Sequence, residues 1–452
     1  MNIIIAGYGK VGAALTRQLS AEGHDLTLID SNKKVLEAGQ ELYDVMAVTG
    51  NCATMSVLVH AGVKEADLLI AATNADEMNL LCCLTAHGIN PNLRTIARIR
   101  NPEYSEQIYM MRYNFALSLL VNPERQAAME IERLLKFPGF LKRESFAHGR
   151  VELAELRVMP DSPLCDVKLS QLYGVIKCRA LICMVLRNGA AIAPDGNFVI
   201  KNGDRLFVIA STNDLALLLK NIGAVTHRAK RVLIAGGGRI SYYLAQRVVK
   251  SGMTVQIAEK DYDKCVQLSE LLPNVSIINT DVSDFSKLDS QRLGADDALV
   301  SMTGLDELNM ILSLYGKSKG VGQIITKLGR AESVEIVEDL ALGSIICPKD
   351  LCSNTILGFV RGMNNQVGAA VAVHKIADGH AEAAEFRASE STLHCGVPLK
   401  KIDLKKNVLI ASILHGSTLI IPNGDSCFEP GDTVIVVSDE STIIAKLNDI
   451  FA

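Results

Sequence analysis

Short apolar runs alternate with longer stretches of helical periodicity from the first residue onward. Residues 1–6 (MNIIIA) read as a buried strand, 13–19 as a helix and 26–29 as a second strand. Further strands are predicted at 45–48, 67–72 (DLLIAA), 95–98 and 117–121, with helices at 31–43, at 53–61 and from Thr73-Asn74-Ala75-Asp76 into Cys82. Strands and helices alternating at this length predict a parallel sheet covered on both faces. A long amphipathic helix at 124–135, closed by Pro138-Gly139, ends this part. The period then changes to two. Residues 151–158 alternate, 179–186 and 190–193 form a hairpin about Arg187-Asn188-Gly189, 205–210 is another strand, and 213–220 a short helix. With turns at Pro194-Asp195-Gly196 and Lys201-Asn202-Gly203-Asp204, this reads as a small mixed domain, and 221–230 as a linker.

The pattern then starts again. The run at 1–6 breaks into Gly7-Tyr8-Gly9-Lys10-Val11-Gly12 and the run at 26–29 ends on Asp30; likewise 231–235 breaks into Gly236-Gly237-Gly238-Arg239-Ile240-Ser241 and 255–258 ends on Glu259. The offset is 229 for the first glycines (236 − 7) and 229 for the acids (259 − 30). Thr73-Asn74-Ala75-Asp76-Glu77-Met78-Asn79 is echoed by Thr303-Gly304-Leu305-Asp306-Glu307-Leu308-Asn309, and the turns of the small domain recur at Pro422-Asn423-Gly424 and Pro430-Gly431-Asp432. The chain is an internal duplication. The fold class expected is α/β, with two Rossmann-like doubly wound domains at 1–137 and 229–365, each followed by a small α+β domain at 138–225 and 366–452.

Strand, G-x-G-x-x-G, helix, strand and an acid about twenty residues later form the dinucleotide-binding fingerprint. Gly7 permits the turn out of the strand, Gly9 leaves room for a pyrophosphate, and Gly12 lets helix and strand pack closely. The free N–H groups at the helix start attract phosphate. Asp30 would accept from both ribose hydroxyls and repel a 2′-phosphate, so NAD(H) or an adenine nucleotide is expected rather than NADP(H). Right-handed crossovers place Gly9, Asp30, Asn51 and Thr73 around one crevice. In the second half Ser241 replaces the third glycine, Glu259 replaces Asp30, Asp281 stands opposite Asn51 and Lys327 opposite Arg98. Both crevices are expected to bind nucleotide.

Composition narrows the field. At 452 residues the chain needs several cores, and a net charge of −4 gives no basic face for nucleic acid. No stretch approaches the roughly eighteen uninterrupted apolar residues that span a bilayer, and the first strand begins at Met1, so a soluble cytosolic protein is expected. Eleven cysteines, without a C-x-x-C and mostly in apolar runs, read as buried small hydrophobes, and the nine histidines have no zinc spacing. No structural metal is expected.

The tandem order, carried by Gly7-Tyr8-Gly9-Lys10-Val11-Gly12, Asp30, Thr73-Asn74, Asp76-Glu77, Asn79 and Arg98, resembles the TrkA family, the cytosolic regulatory subunits of Trk potassium uptake systems. The resemblance covers essentially the whole chain. It implies RCK domains with their C-terminal companions, self-association as a dimer or tetrameric ring, and a membrane potassium channel subunit, TrkH or a relative, as partner on the inner face of the cell membrane. It also implies that NAD(H), ATP or ADP controls opening. Carried over residue by residue, Gly7, Tyr8, Gly9, Lys10 and Val11, with Gly236, Gly237, Gly238, Arg239 and Ile240, hold phosphate, and Asp30 and Glu259 hold ribose. Asn51 and Cys52, with Asp281, follow the third strand; Thr73, Asn74 and Thr303 line the adenosine side; Arg98 and Lys327 meet phosphate. Ser241, Lys327 and Asn51, where an acid is common, depart from the family pattern.

Binding without turnover is the expectation. Hydride transfer needs a domain that holds substrate against the nicotinamide and supplies an acid or base. The polar residues of the small domains, such as Asp195 and Asp204, sit at turns, and His374, His380, His394 and His415 are scattered. The acids at 76–77 and 306–307 suit helix openings. Two other classes compete: an NAD-dependent oxidoreductase, and a sensor taking an effector such as a cyclic dinucleotide into its small domains.

Overall fold

The computed structural model describes residues 1–111, 114–224, 229–291, 293–294, 297–329, 342–363, 370–439, 442 and 444–452. The chain divides into two compact units, one of residues 1–129, 237–247 and 347–357, the other of 130–236, 248–346 and 358–452.

The first unit is built on a six-stranded parallel sheet: β1 (Asn2–Ala6), β2 (Asp25–Asp30), β3 (Met46–Thr49), β4 (Leu68–Ala71), β5 (Arg94–Arg98) and β6 (Leu119–Val121), in the order β3-β2-β1-β4-β5-β6. Between them run α1 (Lys10–Ala21), α2 (Lys33–Leu42), α3 (Met55–His60), α4 (Asp76–Ile89) and α5 (Pro102–Met110), and α6 (Pro123–Lys136) follows. β1 and β4 are buried on both faces, apart from Asn2, which is why they read as continuous apolar runs instead of alternating. Ile4, Ala6, Ile29, Leu69, Ala71 and Ala97 from the sheet pack with Cys82, Cys83 and Ala86 from α4 in one core. The strand order reverses between β1 and β4, the kind of switch point at which ligands bind in doubly wound sheets.

The second unit holds three sheets. β7 (Lys142–Phe146), β8 (Val151–Arg157), β9 (Ala180–Arg187), β10 (Ala190–Ile192) and β11 (Arg205–Ala210) form an antiparallel sheet of order β10-β9-β11-β8-β7, with α7 (Leu172–Ile176) and α8 (Thr212–Asn221) beside it. The second parallel sheet takes β12 (Arg231–Ala235), β13 (Thr254–Glu259), β14 (Ser276–Asn279), β15 (Asp297–Ser301), β16 (Gln323–Lys327) and β17 (Ser344–Ile346), in the order β14-β13-β12-β15-β16-β17. Between and after its strands in the chain run α9 (Arg239–Lys250), α10 (Tyr262–Leu271), α11 (Phe285–Asp289), α12 (Asp306–Ser318) and α13 (Pro348–Met363), of which residues 239–247 and 348–357 belong to the first unit. The last antiparallel sheet takes β18 (Ala370–Ile376), β19 (Ala381–Arg387), β20 (Val408–His415), β21 (Thr418–Ile420) and β22 (Thr433–Asp439), in the order β18-β19-β22-β20-β21. No described helix is long and apolar enough to cross a membrane.

The two antiparallel sheets share a core: Phe146, Leu153 and Phe207 of one pack with Ile376, Ala383 and Ile435 of the other. Polar pairs stitch its margin. Arg205 binds Glu155 and Asp378, both at 2.5 Å, Glu144 meets His374 Nδ1 at 2.8 Å, and Glu385 accepts the N–H of Ala147 at 2.8 Å. Asp204, expected only to shape a turn, does accept the N–H of Lys201 at 2.7 Å, but it is also a nearly fully buried partner of Arg187, bound through Nε and Nη2 at 2.7 Å each. Of the expected linker, residue 221 closes α8 and residues 225–228 lie outside the described residues.

Candidate nucleotide-binding site

β1 ends at Gly7, which adopts φ +99; a Cβ there would stand 2.8 Å from the backbone nitrogen of Thr73, so both conformation and space exclude a side chain. A Cβ on Gly12 would lie 2.0 Å from the carbonyl oxygen of Gly7, so helix and turn approach as closely as the sequence pattern demands. Gly9 caps α1 without a side-chain hydrogen bond, and nothing lies within 4 Å of where its Cβ would be. The twelve-residue α1 therefore presents its first N–H groups beside open space, with Lys10 exposed at its start and Val11 turned into the core.

Asp30, at the end of β2, is anchored on both oxygens: Oδ2 accepts the N–H of Tyr8 at 2.8 Å and Oδ1 that of Asn32 at 2.9 Å. Each oxygen keeps a lone pair, so the carboxylate is oriented and still able to accept from a diol. The Tyr8 ring lies over α2, where a Cβ on Gly39 would come within 2.8 Å of it. Asn51 folds into a turn, its Oδ1 accepting the N–H of Ala53 at 3.0 Å. Cys52, expected at the crevice, instead buries its side chain in the core, where a hydrogen bond with Cys82 lowers its own pKa and raises that of Cys82.

Across the crevice Thr73 is held by Asn79 and Asn74 is exposed, its carbonyl accepting from Arg100 Nη2 at 2.6 Å. Arg98 donates to the carbonyl of Ala72 at 3.5 Å, and burial, followed by the charge of Arg100, depresses its pKa. Arg98 Nε, Arg100 Nε and Glu124 Oε2 are buried with no hydrogen-bond partner in the protein. Glu124 stands in the first turn of α6; burial raises its pKa, against the charges of Arg100, Arg98 and Arg239. A carboxylate, an open helix start and guanidinium nitrogens with unspent donors fit a nucleotide's ribose and phosphates.

Sequence reading singled out neither Arg100 nor Glu124. The duplication held a clue: Gly329 and Lys349 stand where the second half repeats them, so neither residue recurs there. Arg239 opens α9 together with Gly237, Gly238 and Ile240, and these four belong to the first unit. In the same unit Asn122 Nδ2 donates to Tyr243 Oη at 3.0 Å.

In the second unit Gly236 repeats the conformation of Gly7, with φ +105 and a would-be Cβ 3.0 Å from the carbonyl of Met302. Glu259 Oε1 accepts the N–H of Asp261 at 2.9 Å. Asp281 is held by the N–H and hydroxyl of Ser283, bonds that lower its pKa. Lys327 donates to the carbonyl of Thr303 at 2.6 Å, much as Arg98 donates to that of Ala72.

The TrkA-N domain family matches residues 3–119 and 232–348, and the TrkA-C domain family matches 153–223 and 383–452. The chain belongs to the TrkA family. It is 32% identical to a Trk system potassium uptake protein TrkA homolog of Archaeoglobus fulgidus over all of both chains, and 28% identical to the Trk system potassium uptake protein TrkA of Haemophilus influenzae, covering 100% of this chain and 98% of that one. Among solved structures, the GsuK RCK domain superposes with a TM-score of 0.61 at 17% identity, covering 97% of this chain and 92% of that chain. The GsuK channel bound to NAD superposes with a TM-score of 0.60 at 17% identity, covering 97% and 77%. The expected TrkA-family membership and the tandem RCK fold are thereby shown.

Proposed function

We propose that this TrkA-family chain is a regulatory nucleotide-binding subunit that gates potassium uptake through a membrane channel subunit of Trk type, with NAD(H), ATP or ADP as the switch. The observation that carries this reading is the open start of α1 beside the doubly anchored carboxylate of Asp30, in the unit that also holds the buried, unbonded guanidinium nitrogens of Arg98 and Arg100. In this proposal Asp30 takes the ribose, Thr73 and Asn74 flank the adenosine, and the backbone at Gly9 and Lys10 takes the first phosphates. Glu259, Thr303, Asp281 and Lys327 do the corresponding work in the second half, and the proposal keeps four domains, at 1–137, 138–225, 229–365 and 366–452. Chains associate as a dimer or a tetrameric ring on the inner face of the membrane.

A third phosphate brings further negative charge to Arg98 and Arg100, where Asp76 already lies 3.8 Å from Arg100 Nε and Glu124 adds its charge, whereas ADP leaves those charges as they are. Glu124 lies on α6, so a ligand that competes with it acts on that helix. A nucleotide shifts two conformations only through its difference in affinity for them, and charge competition of this kind supplies such a difference. In this reading the chain is a switch rather than an enzyme: His374 and His415 lie on β18 and β20 of an antiparallel sheet, not on the strands that end at the clefts.

Equilibrium binding of ATP, ADP and NADH tests the reading, with Asp30→Ala and Glu259→Ala alongside. Loss of at least about tenfold in affinity in each variant is expected, since each removes charge-assisted hydrogen bonds. Unchanged affinity in the double variant would redirect attention to an effector in the small domains, and substrate-dependent loss of NADH absorbance would make the protein an oxidoreductase. Potassium flux indifferent to the protein would remove the transport role.

A further inference from the structure

Beneath the rim of each crevice a single asparagine joins two otherwise separate pieces of chain. Asn79, wholly buried on α4, accepts from the N–H and hydroxyl of Thr73 at 2.8 and 2.6 Å. Its Nδ2 donates to the carbonyl of Arg98 at 2.8 Å and to that of Thr73 at 3.3 Å. Asn309 on α12 is equally buried and repeats all four bonds: 2.7 and 2.7 Å from Thr303, 3.0 Å to Lys327 and 3.3 Å to Thr303. The largest difference within a pair is 0.2 Å (3.0 − 2.8). The same helix reaches the same strand end a second time. Asp76 Oδ2 accepts the N–H groups of Arg100 and Asn101 at 2.8 and 2.7 Å, and Asp306 Oδ2 accepts that of Gly329 at 2.8 Å.

These side chains do not serve their own helices. Ala75 and Leu305 precede α4 and α12 as their N-caps and supply no side-chain cap, while the acid and the asparagine bond chain outside the helix. Around them the halves have diverged: Arg98 has become Lys327, Arg100 Gly329, and Cys83 Ser313. The four-bond arrangement has not.

We propose that Asn79 and Asn309 are positioning residues of the two clefts. Each fixes the loop that flanks adenosine, at Thr73 or Thr303, to the strand end that carries the phosphate-side cation, at Arg98 or Lys327. A nucleotide is then read at both ends by one rigid body, and the entropy of bringing the two reading groups together is spent on folding instead of on binding. The inference rests on the nucleotide-binding reading of the clefts and adds the device that couples their two sides.

Amide hydrogen exchange on the ligand-free protein tests the coupling by itself. In Asn79→Ala, protection at residues 73–75 and 98–101 falls together while 303–305 and 327–329 stay as in wild type; a rise in exchange on one segment alone overturns the proposal. Binding tests its consequence. In a Glu259→Ala background, AMP, which ends at the first phosphate, keeps its affinity within about threefold in Asn79→Ala, while the ratio of AMP to ATP dissociation constants falls by about tenfold, the worth of a hydrogen bond or two. Asn79→Asp keeps the acceptor for Thr73 and loses the donor to Arg98, so AMP should bind it as well as it binds the parent while the ratio stays low. A merely structural asparagine would weaken both ligands alike, and an unchanged ratio in both variants overturns the proposal. Absence of Asp30-dependent binding in the parent protein would instead overturn the nucleotide reading, leaving the exchange result to decide the coupling.

Discussion

Replacing Glu130 by glutamine should stabilise the protein at pH 8 and leave it unchanged in acid. Glu130 lies on α6, its Oε1 accepting the N–H of Arg143 at 3.3 Å and its Oε2 3.5 Å from Arg133. Burial, and then the charge of Glu144, push its carboxyl up to about 7 from an ordinary 4.5, against the attraction of Arg133 and Lys142. An acid whose folded pKa is raised binds its proton more tightly in the folded state. Stability is therefore greatest below pH 4.5, falls as pH rises through 7 and is level above it. A rise of about 2.5 pH units (7 − 4.5), at about 1.36 kcal/mol each, comes to roughly 3 kcal/mol. Glutamine is neutral throughout and still accepts from Arg143. Thermal unfolding of both proteins from pH 4.5 to 8.5 should show coincident midpoints at the acid end and a variant higher by roughly 6–12 °C at the alkaline end, given ~2–4 °C per kcal/mol for a large domain. A difference that does not change with pH, or a variant less stable than wild type at pH 8, would refute the reasoning. Burial also opposes the charge on Glu144, but His374 and Lys142 prevail and hold its carboxyl down at about 2, so its contribution is present above pH 4.5 and disappears only in stronger acid.

Three further outcomes are expected. Gly12→Ala drives a methyl into the carbonyl of Gly7 and should lower nucleotide affinity at the first cleft by at least about tenfold, read by titration in a Glu259→Ala background. Arg187→Ala leaves the carboxylate of Asp204, 1% exposed, without its cation and should cost about 3 kcal/mol in urea unfolding, with Asp204→Asn recovering part of the loss in the double variant. With Ellman's reagent at pH 8 the half-buried Cys165, Cys395 and Cys427 should react first. Cys183 and Cys352, whose thiols burial pushes up to about 12, should wait for denaturant, as should the fully buried Cys83.

Both parallel sheets and both glycine turns were legible in the sequence because their buried strands are uninterrupted apolar runs and because Gly7 and Gly236 combine a positive φ with no room for a side chain. The strand at Lys142–Phe146 was not legible. Its inward positions include Arg143 and Glu144, and charge reads as exposure until the partners Glu152 and His374 are known, one nine residues away and the other 230 (374 − 144). The same holds at the cleft. Asp30 announces itself by its spacing, whereas Arg100 and Glu124 gain their meaning only from one another and from Arg239, which is far away in sequence. The burial of the Cys52 side chain was not legible, because adjacency to Asn51 in the chain says nothing about which way a side chain turns.

The first compact unit includes residues 237–247 and 347–357, taken from the far half of the sequence. A gene trimmed to a single repeat would encode a nucleotide domain lacking those segments, and the missing pieces could come only from another molecule. Fusion makes that exchange internal and permanent, and it releases each copy from having to serve as its own partner. Lineages carrying the fused form can accordingly tune Arg100 on one side without imposing the same change on the other.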